Sequence, residues 1–375
     1  MNAIMPRPLP PSRSRRRGPH RRPAPSRALS RFLSPRVIAL VGLVVALLVG
    51  SRLLGAPAAS AVTLRIGTLV PHGTSYHRNL LTMGDQWRQL SNGSVRLTVF
   101  PGGTQGGDSD MVGLMQTGNL DAALLTAVGL AEIEKGVTAL QSMPMAFRSL
   151  AEVDHVGNQL RPRLEARLAA KGYVVLFWTD SGWVRFFTKR PVVRPDDLRK
   201  LKVFSWAGDN QEYDLWKKAG FQPVALDSTA IHQGLMSGTI SAVPMPPFFA
   251  LAGSLDSHAK HMLELNWAPL IGALVVRQAS WERVPPALRE KFLATASAAG
   301  AQVKADGRAE SDRSVAAMAK RGLQVHAVNA EIEGEWRATI EQLNEQIRGR
   351  IVPADLFDEA QRLLRESRAA KGNPL

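Results

Sequence analysis

An α/β chain of two lobes is what this sequence predicts, and three observations predict it. From residue 62 onward, short β-branched runs alternate with amphipathic helical ones, the order that packs helices on a largely parallel sheet. A chain of 375 residues with 45% hydrophobic content can bury a sizeable core and exceeds the usual size of one domain. No Gly/Ser linker and no low-complexity run follows the leader, so the lobes must be joined by ordered structure.

The basic balance of the chain belongs to that leader. Residues 1–61 hold eleven arginines and neither lysine nor acid, so the net charge of +15 leaves only +4 on the other 314 residues. An Arg/Pro/Ser-rich start, the apolar run Val37 to Val49 (VIALVGLVVALLV) and the closing Ala59-Ser60-Ala61 have the layout of a secretory signal cleaved after Ala61. The run is about 13 residues, short of the roughly 20 of a membrane span, and an uncleaved anchor is the alternative. Arg15, Arg16 and Arg17 lie well before the apolar run, which fits a long basic start better than a twin-arginine signal or a nucleic-acid arm. The absence of cysteine excludes disulfides, thiolate metal sites, a cysteine nucleophile and a lipidated cysteine.

Each element then follows in order. Val62 to Val70 alternates Leu64 and Ile66 against Thr63 and Arg65, reads as a strand, and is stopped by Pro71. A helix starts near Ser75, the expected N-cap, with Leu80, Leu81, Gly84, Trp87 and Leu90 on one face. Asn92-Gly93 turns the chain into a second strand, Ser94 to Phe100, and a glycine-rich loop leads to a helix expected to be capped by Asp108. Leu120 to Val128 is apolar enough for the middle of a parallel sheet. No element is assigned between Val128 and Gly172. Gly172 to Thr179, Val184 to Lys189 and LKVFSW (Leu201 to Trp206) read as strands, with a short helix starting at Pro195 between the last two. Helices follow from about Asn210 to Ala219 and from Asp227 or Ser228 to Gly238, and TISAVP is a strand stopped by prolines. Pro285 to Arg321 reads as a helix long enough to span both lobes, with Gly300 and Gly307 as candidate bends. LQVHAV is the last strand, and helices near Glu331 to Arg348 and Pro353 to Ser367 close the chain.

Several motifs carry less than they first suggest. PGGTQGGD has no Gly-Lys-Ser/Thr and no dinucleotide-binding spacing, so it reads as a tight turn between strand and helix. His258 and His261 lack the further ligands of a metal site, and no cofactor is expected. Asp108, Asp110, Asp196 and Asp197 stand at helix starts, where carboxylates satisfy free N–H groups. No nucleophile signature is present; a hydrolase would have to bring Ser181 or Ser205 to His72.

The landmarks VTLRIGTLVP, NGSVRLTVFPGGTQGGD, MQTGNLDAALL, MPMAFRS, FFTKRPVVRPDDLRKLKV and GLMSGTISAVPMPP occur in order from Val62 onward. In order and spacing the chain resembles the solute-binding subunits of tripartite ATP-independent periplasmic (TRAP) transporters, over essentially its whole exported part. The resemblance implies a two-lobed periplasmic binding protein fold, each lobe a mixed sheet flanked by helices, the lobes joined by strands and a long helix. It implies a division into a signal peptide over 1–61, lobe I over 62–181 with about 270–307, and lobe II over 182–269 with about 308–375. It also implies that the protein is periplasmic, is not an enzyme, and passes a small solute from its cleft to permease subunits driven by an ion gradient. A membrane-anchored ligand sensor is the main alternative, a secreted hydrolase the lesser one.

The departures from the family pattern point to the ligand. Most members carry a carboxylate-clamping arginine where this chain has Phe204, and a Glu and a ligand-binding Asn where it has Pro244 and Met245; Trp267 replaces a frequent histidine. All four changes move toward apolar or aromatic, at strand ends where α/β sheets bind ligands. The expected ligand is therefore apolar, or amphipathic and weakly charged. In this the chain resembles the TRAP branch that works with a tetratricopeptide-repeat partner protein. Trp206 shares a strand face with Phe204. Arg185 is the remaining candidate cation, although the alignment can place Val184 there instead. Trp183 and Trp178 are candidates for stacking or for filling the hinge. Lobe I is expected to contribute Pro71, His72 and Ser75 after its first strand, Thr126 and Ala127 after its third, and Phe147 from the MPMAF loop.

Overall fold

The computed structural model describes residues 61–370. The predicted signal peptide lies outside the described residues, apart from Ala61. Eleven strands are described: β1 (Val62–Thr68), β2 (Val95–Phe100), β3 (Ala122–Thr126), β4 (Tyr173–Trp183), β5 (Arg185–Thr188), β6 (Lys202–Trp206), β7 (Gln222–Leu226), β8 (Ala242–Met245), β9 (His261–Glu264), β10 (Pro269–Arg277) and β11 (Gln324–Ala327). They form two mixed sheets flanked by helices, ordered β2-β1-β3-β10-β4 in the first lobe and β11-β9-β5-β8-β6-β7 in the second.

Alternation explains the outer strands and apolar runs the central ones. In β1, Leu64 and Ile66 are buried while Thr63 is exposed, and β1 pairs in parallel with β2 and β3. β3 is buried along most of its length because β10 closes its other side, antiparallel to both β3 and β4.

Two extended segments cross between the lobes. β4 runs almost directly into β5, and the return passes through Trp267 and Ala268 into β10; Val184 N donates to Ala268 O at 2.8 Å and Trp267 N to Val184 O at 3.1 Å. The third crossing is the helix Pro286–Lys320, whose 35 residues span about 50 Å. It runs without a break through both of its candidate bends. Gly300 and Gly307 instead admit rings: a Cβ at Gly300 would lie 2.5 Å from Phe177, and one at Gly307 would lie 2.1 Å from Tyr76 Oη.

A charged knot fastens this crossing. Arg308 on the long helix donates to Asp180 of β4 at 2.7 and 2.8 Å and to Asp154 at 2.8 and 2.9 Å. Asp180 is 1% exposed, so the guanidinium compensates a charge that water cannot reach.

Asp154 belongs to a helix, Leu150–Ala170, in the stretch where the sequence reading assigns no element. Its buried Val153, Val156, Leu160, Leu164 and Leu168 keep helical spacing, and Pro162 is accommodated within it. The terminal helix Ala354–Ala370 lies along it, with Arg368 bonded to Glu152 at 2.9 Å. Two expected caps differ from the structure. Thr74, not Ser75, caps Ser75–Leu90 by accepting from His77 N, because the following hydroxyl is drawn to Glu310 on the long helix at 2.8 Å. Gly107, not Asp108, precedes Asp108–Gln116, while Asp110 accepts from Gly107 N at 2.9 Å.

Candidate functional site

Where the strand ends of the two sheets face each other, they enclose adjoining cavities. The larger of the two that share Trp206, of about 240 Å³, has Leu69, Pro71 and Thr126 of the first lobe on one side and Trp206, Ile231, Met245 and Phe249 of the second on the other, with Leu270 of β10 between them. Past Trp206 and Leu270 lies a smaller cavity of about 50 Å³, walled by Phe204, Trp206, Trp216, Pro244, Trp267 and Glu212. A third, also about 50 Å³, continues into the first lobe along Thr126, Tyr76 and Leu270. Apart from these three, a further cavity, of about 390 Å³, is lined by Val128, Glu132 and Lys135 of the first lobe and Gly208, Asp209 and Asn210 of the second.

The polar frame of the first lobe is fixed from beneath. Asp108 accepts from Thr126 N at 3.2 Å and from Thr126 Oγ1 at 2.6 Å, and Thr126 Oγ1 accepts from Val128 N, capping the helix Ala127–Ile133. Burial pushes the Asp108 carboxyl up to about 6, against these hydrogen bonds.

The electrostatics of the walls are one-sided. None of the residues lining the three cavities is a lysine or an arginine. The carboxyl in the walls is Glu212, which accepts from Trp216 Nε1 at 3.2 Å. Burial, with Asp209 adding to it, pushes Glu212 up to about 8, so the neutral acid prevails near neutral pH. Two aromatic pairs stand in the wall: Phe204 meets Trp206 edge-on at 5.3 Å, and Trp216 lies 5.3 Å from Trp267.

The glycine-rich loop of the first lobe forms the lip of the cleft. Gly102, Gly103 and Gly106 have φ of 67, 70 and 86°. A Cβ on Gly103 would lie 2.7 Å from Thr229, and one on Gly107 2.3 Å from Asp227 Oδ2, both across the cleft. Gly208 of the second lobe stands equally close to Ser109, at 2.9 Å from its added Cβ. Along this seam a glycine of one lobe meets a side chain of the other.

Residues 66–349 match the model of the bacterial extracellular solute-binding protein family 7, DctP. The chain belongs to this family. Its members are periplasmic solute-binding proteins of TRAP transporters that work with membrane permease components, so this chain binds small solutes and is not an enzyme. It is 25% identical over 254 residues to the 2,3-diketo-L-gulonate-binding periplasmic protein YiaO of Escherichia coli, covering 64% of this chain and 74% of that one. It is 21% identical over 307 residues to the C4-dicarboxylate-binding periplasmic protein DctP of Rhodobacter capsulatus, covering 80% and 91%. Among solved structures, a TRAP periplasmic solute-binding protein of Sulfurospirillum deleyianum with bound succinate superposes with a TM-score of 0.74 at 18% identity, over 81% of this chain and 99% of that one. The sugar acid binding protein of Advenella mimigardefordensis, in complex with galactonate, gives 0.77 at 13% identity, over 82% and 99%. These likenesses show the two-lobed fold. Among the described residues, no helix is long and apolar enough to cross a membrane.

The structure brings some of the expected residues of this DctP-family protein together and separates others. Phe204, Trp206, Pro244, Met245, Trp267 and Thr126 stand in the cavity walls, as does Pro71. Trp183, Arg185, His72, Ser75 and Phe147 line none of the three cavities. Arg185 reaches Glu264 at 3.4 Å, and Phe147 is buried in the core of the first lobe. Trp178 is likewise buried, its Nε1 donating to Glu165 at 2.8 Å. His72 is exposed beside His77, while Ser181 Oγ is paired with Tyr76 Oη at 2.8 Å, so the dyad that a hydrolase would need is not assembled there.

Glu212, Trp216, Phe249 and Leu270 are wall residues that sequence reasoning missed. Glu212 stands three residues after Asp209, which accepts from its N–H at 3.0 Å, so its position reads as an ordinary first-turn acid. Phe249 follows the double proline that ends β8, and that strand-end position was the available signal.

Proposed function

We propose that this protein captures a largely apolar, or amphipathic and weakly charged, small molecule in the interlobe cleft and delivers it to the permease subunits of a TRAP transporter. The observation that carries this reading is the composition of the cavity walls. Where the family resemblance implies a guanidinium, Phe204 offers a ring, and no lysine or arginine, Arg185 included, replaces it in the walls, whose one basic side chain is His232 of the larger cavity. A dicarboxylate entering here would lose its water and gain no counter-charge, at a cost of several kcal/mol. The apolar surface of Ile231, Met245, Phe249 and Leu270 favours a hydrocarbon part instead, at roughly 25 cal/mol per Å² removed from water.

The test begins with native mass spectrometry of protein purified without added ligand, which is expected to reveal a retained apolar or amphipathic molecule. Phe204→Arg then places a cation in the buried cluster that Phe204 shares with Phe187, Ile231, Leu235 and Met245. Affinity for the retained molecule should fall by at least about tenfold. Unchanged affinity, or tight binding of short dicarboxylates by the unmodified protein, would overturn the reading.

A further inference from the structure

Glu212 accepts from the indole N–H of Trp216 but has no cation for a partner. It is half-buried among apolar and aromatic groups, where a carboxylate is ordinarily paired with a cation, yet the polar groups around this one are Trp216 Nε1, at 3.2 Å, and a second acid, Asp209. No other element packed around the cavity supplies a charge: Gln141, Ser142 and Pro144 close one side, and Phe204, Ser205, Trp206, Pro244 and Trp267 the other. Behind Glu212, the wall is made by Ile340, Leu343, Ile347 and Ile351. The nearby Arg350 is 3.5 Å from Asp214 and lines neither cavity. Aromatic rings present electron-rich faces that attract cations and repel anions. Acid and rings therefore select the same sign of charge.

We propose that the smaller cavity receives the cationic head, an ammonium or quaternary ammonium group, of an amphipathic ligand whose apolar part occupies the larger cavity. This inference rests on the reading of an apolar or amphipathic ligand and specifies its polar end. The volume of about 50 Å³ corresponds to roughly three or four waters, or to one compact head group. Trp206 and Leu270 line both cavities, so the two adjoin. Charge balance sets the binding step. The cation enters, Glu212 releases its proton to solvent, and the carboxylate so formed pairs with the ligand. Burial holds Glu212 protonated in the empty site up to about 8, so near neutral pH each cation bound should expel close to one proton. Above that pKa it should expel none, and affinity should rise with pH up to it.

The experiment compares choline, its uncharged isostere dimethylbutanol, hexanol and succinate by titration calorimetry, in buffers of different ionisation heat. Choline is expected to bind at least about tenfold tighter than dimethylbutanol and to release a proton near neutral pH. Glu212→Gln keeps the shape of the side chain and should abolish both the preference and the proton release, with an unchanged melting temperature as the check on folding. Trp206→Leu keeps an apolar side chain without the ring and should weaken choline several-fold. Equal binding of choline and dimethylbutanol, failure of choline to bind, or choline binding unaltered in Glu212→Gln overturns the cationic head. In any of those cases, hexanol binding shows that the apolar cleft still stands. Binding of succinate in preference to all three overturns the apolar reading itself.

Discussion

Replacing Gly107 by alanine separates closure of the lobes from their stability. Gly107 has φ −75° and ψ −173°, a conformation that alanine adopts without strain. Its added Cβ would lie 2.3 Å from Asp227 Oδ2 and 3.1 Å from Asp227 Cγ, both on the opposite lobe. Asp227 is not free to step aside, since its Oδ1 accepts from Thr229 N at 2.8 Å and from Thr229 Oγ1 at 2.6 Å. Either the seam stays slightly open or that cap is lost, at about 1–3 kcal/mol. The penalty applies only while the lobes touch. Ligand affinity should therefore fall about five- to 150-fold, while the melting temperature of the unliganded protein holds or rises slightly. Calorimetry with the retained ligand measures the first and a thermal melt the second. Because the chain has no cysteine, one engineered thiol per lobe can carry a fluorescence pair that reports the seam directly. Gly113→Ala, with nothing within 4 Å of the added carbon, is the control. A lowered melting temperature with unchanged affinity would show that the seam has no part in closure.

Gly307→Ala acts on stability instead: its Cβ meets the buried Tyr76 Oη at 2.1 Å, and Tyr76 bonds Asp180 O and Ser181 Oγ. A loss of about 2–4 kcal/mol is expected, read by denaturant unfolding; a loss below about 1 kcal/mol would mean that the helix shifts without resistance. Asp108 gives a pH signature. Its carboxyl is raised from 3.8 to about 6, so folding disfavours the ionised form: stability is full below about pH 3.8 and declines as pH rises through about 6, by at most about 3 kcal/mol. Asp108→Asn should flatten that decline in melts taken near pH 4 and near pH 7, and an unaltered slope would contradict the burial argument.

Much of the fold is legible because its signals are local. The alternation of Leu64 and Ile66, the turn at Asn92-Gly93 and the αL stop at Gly238, with φ of 79°, mark element ends without reference to anything distant. Leu150–Ala170 shows the limit: its apolar spacing is regular, but Pro162 reads as a breaker until the packing around it is known. The walls of the site divide in the same way. Phe204, Trp206 and Met245 follow from strand ends and from comparison with a family pattern, both readable along the chain. Glu212 does not, because a first-turn acid becomes unusual only when Trp216, Trp267 and Phe204 close around it. Arg185 fails to reach the cleft for a similar reason: Glu264, distant in sequence, is the partner that holds its guanidinium.

The place of β10 has a consequence for how the molecule is made. Residues Pro269–Arg277 fill the gap between β3 and β4 in the first sheet, yet they follow nearly all the strands of the second sheet in sequence. A chain of which only the first 260 or so residues are free has four strands of that sheet and lacks the one that joins β3 to β4. Neither half can finish early, and such late, distant pairing slows folding. Completion of the first sheet is thus a late event, before which the exposed flanks of β3 and β4 are open to wrong partners.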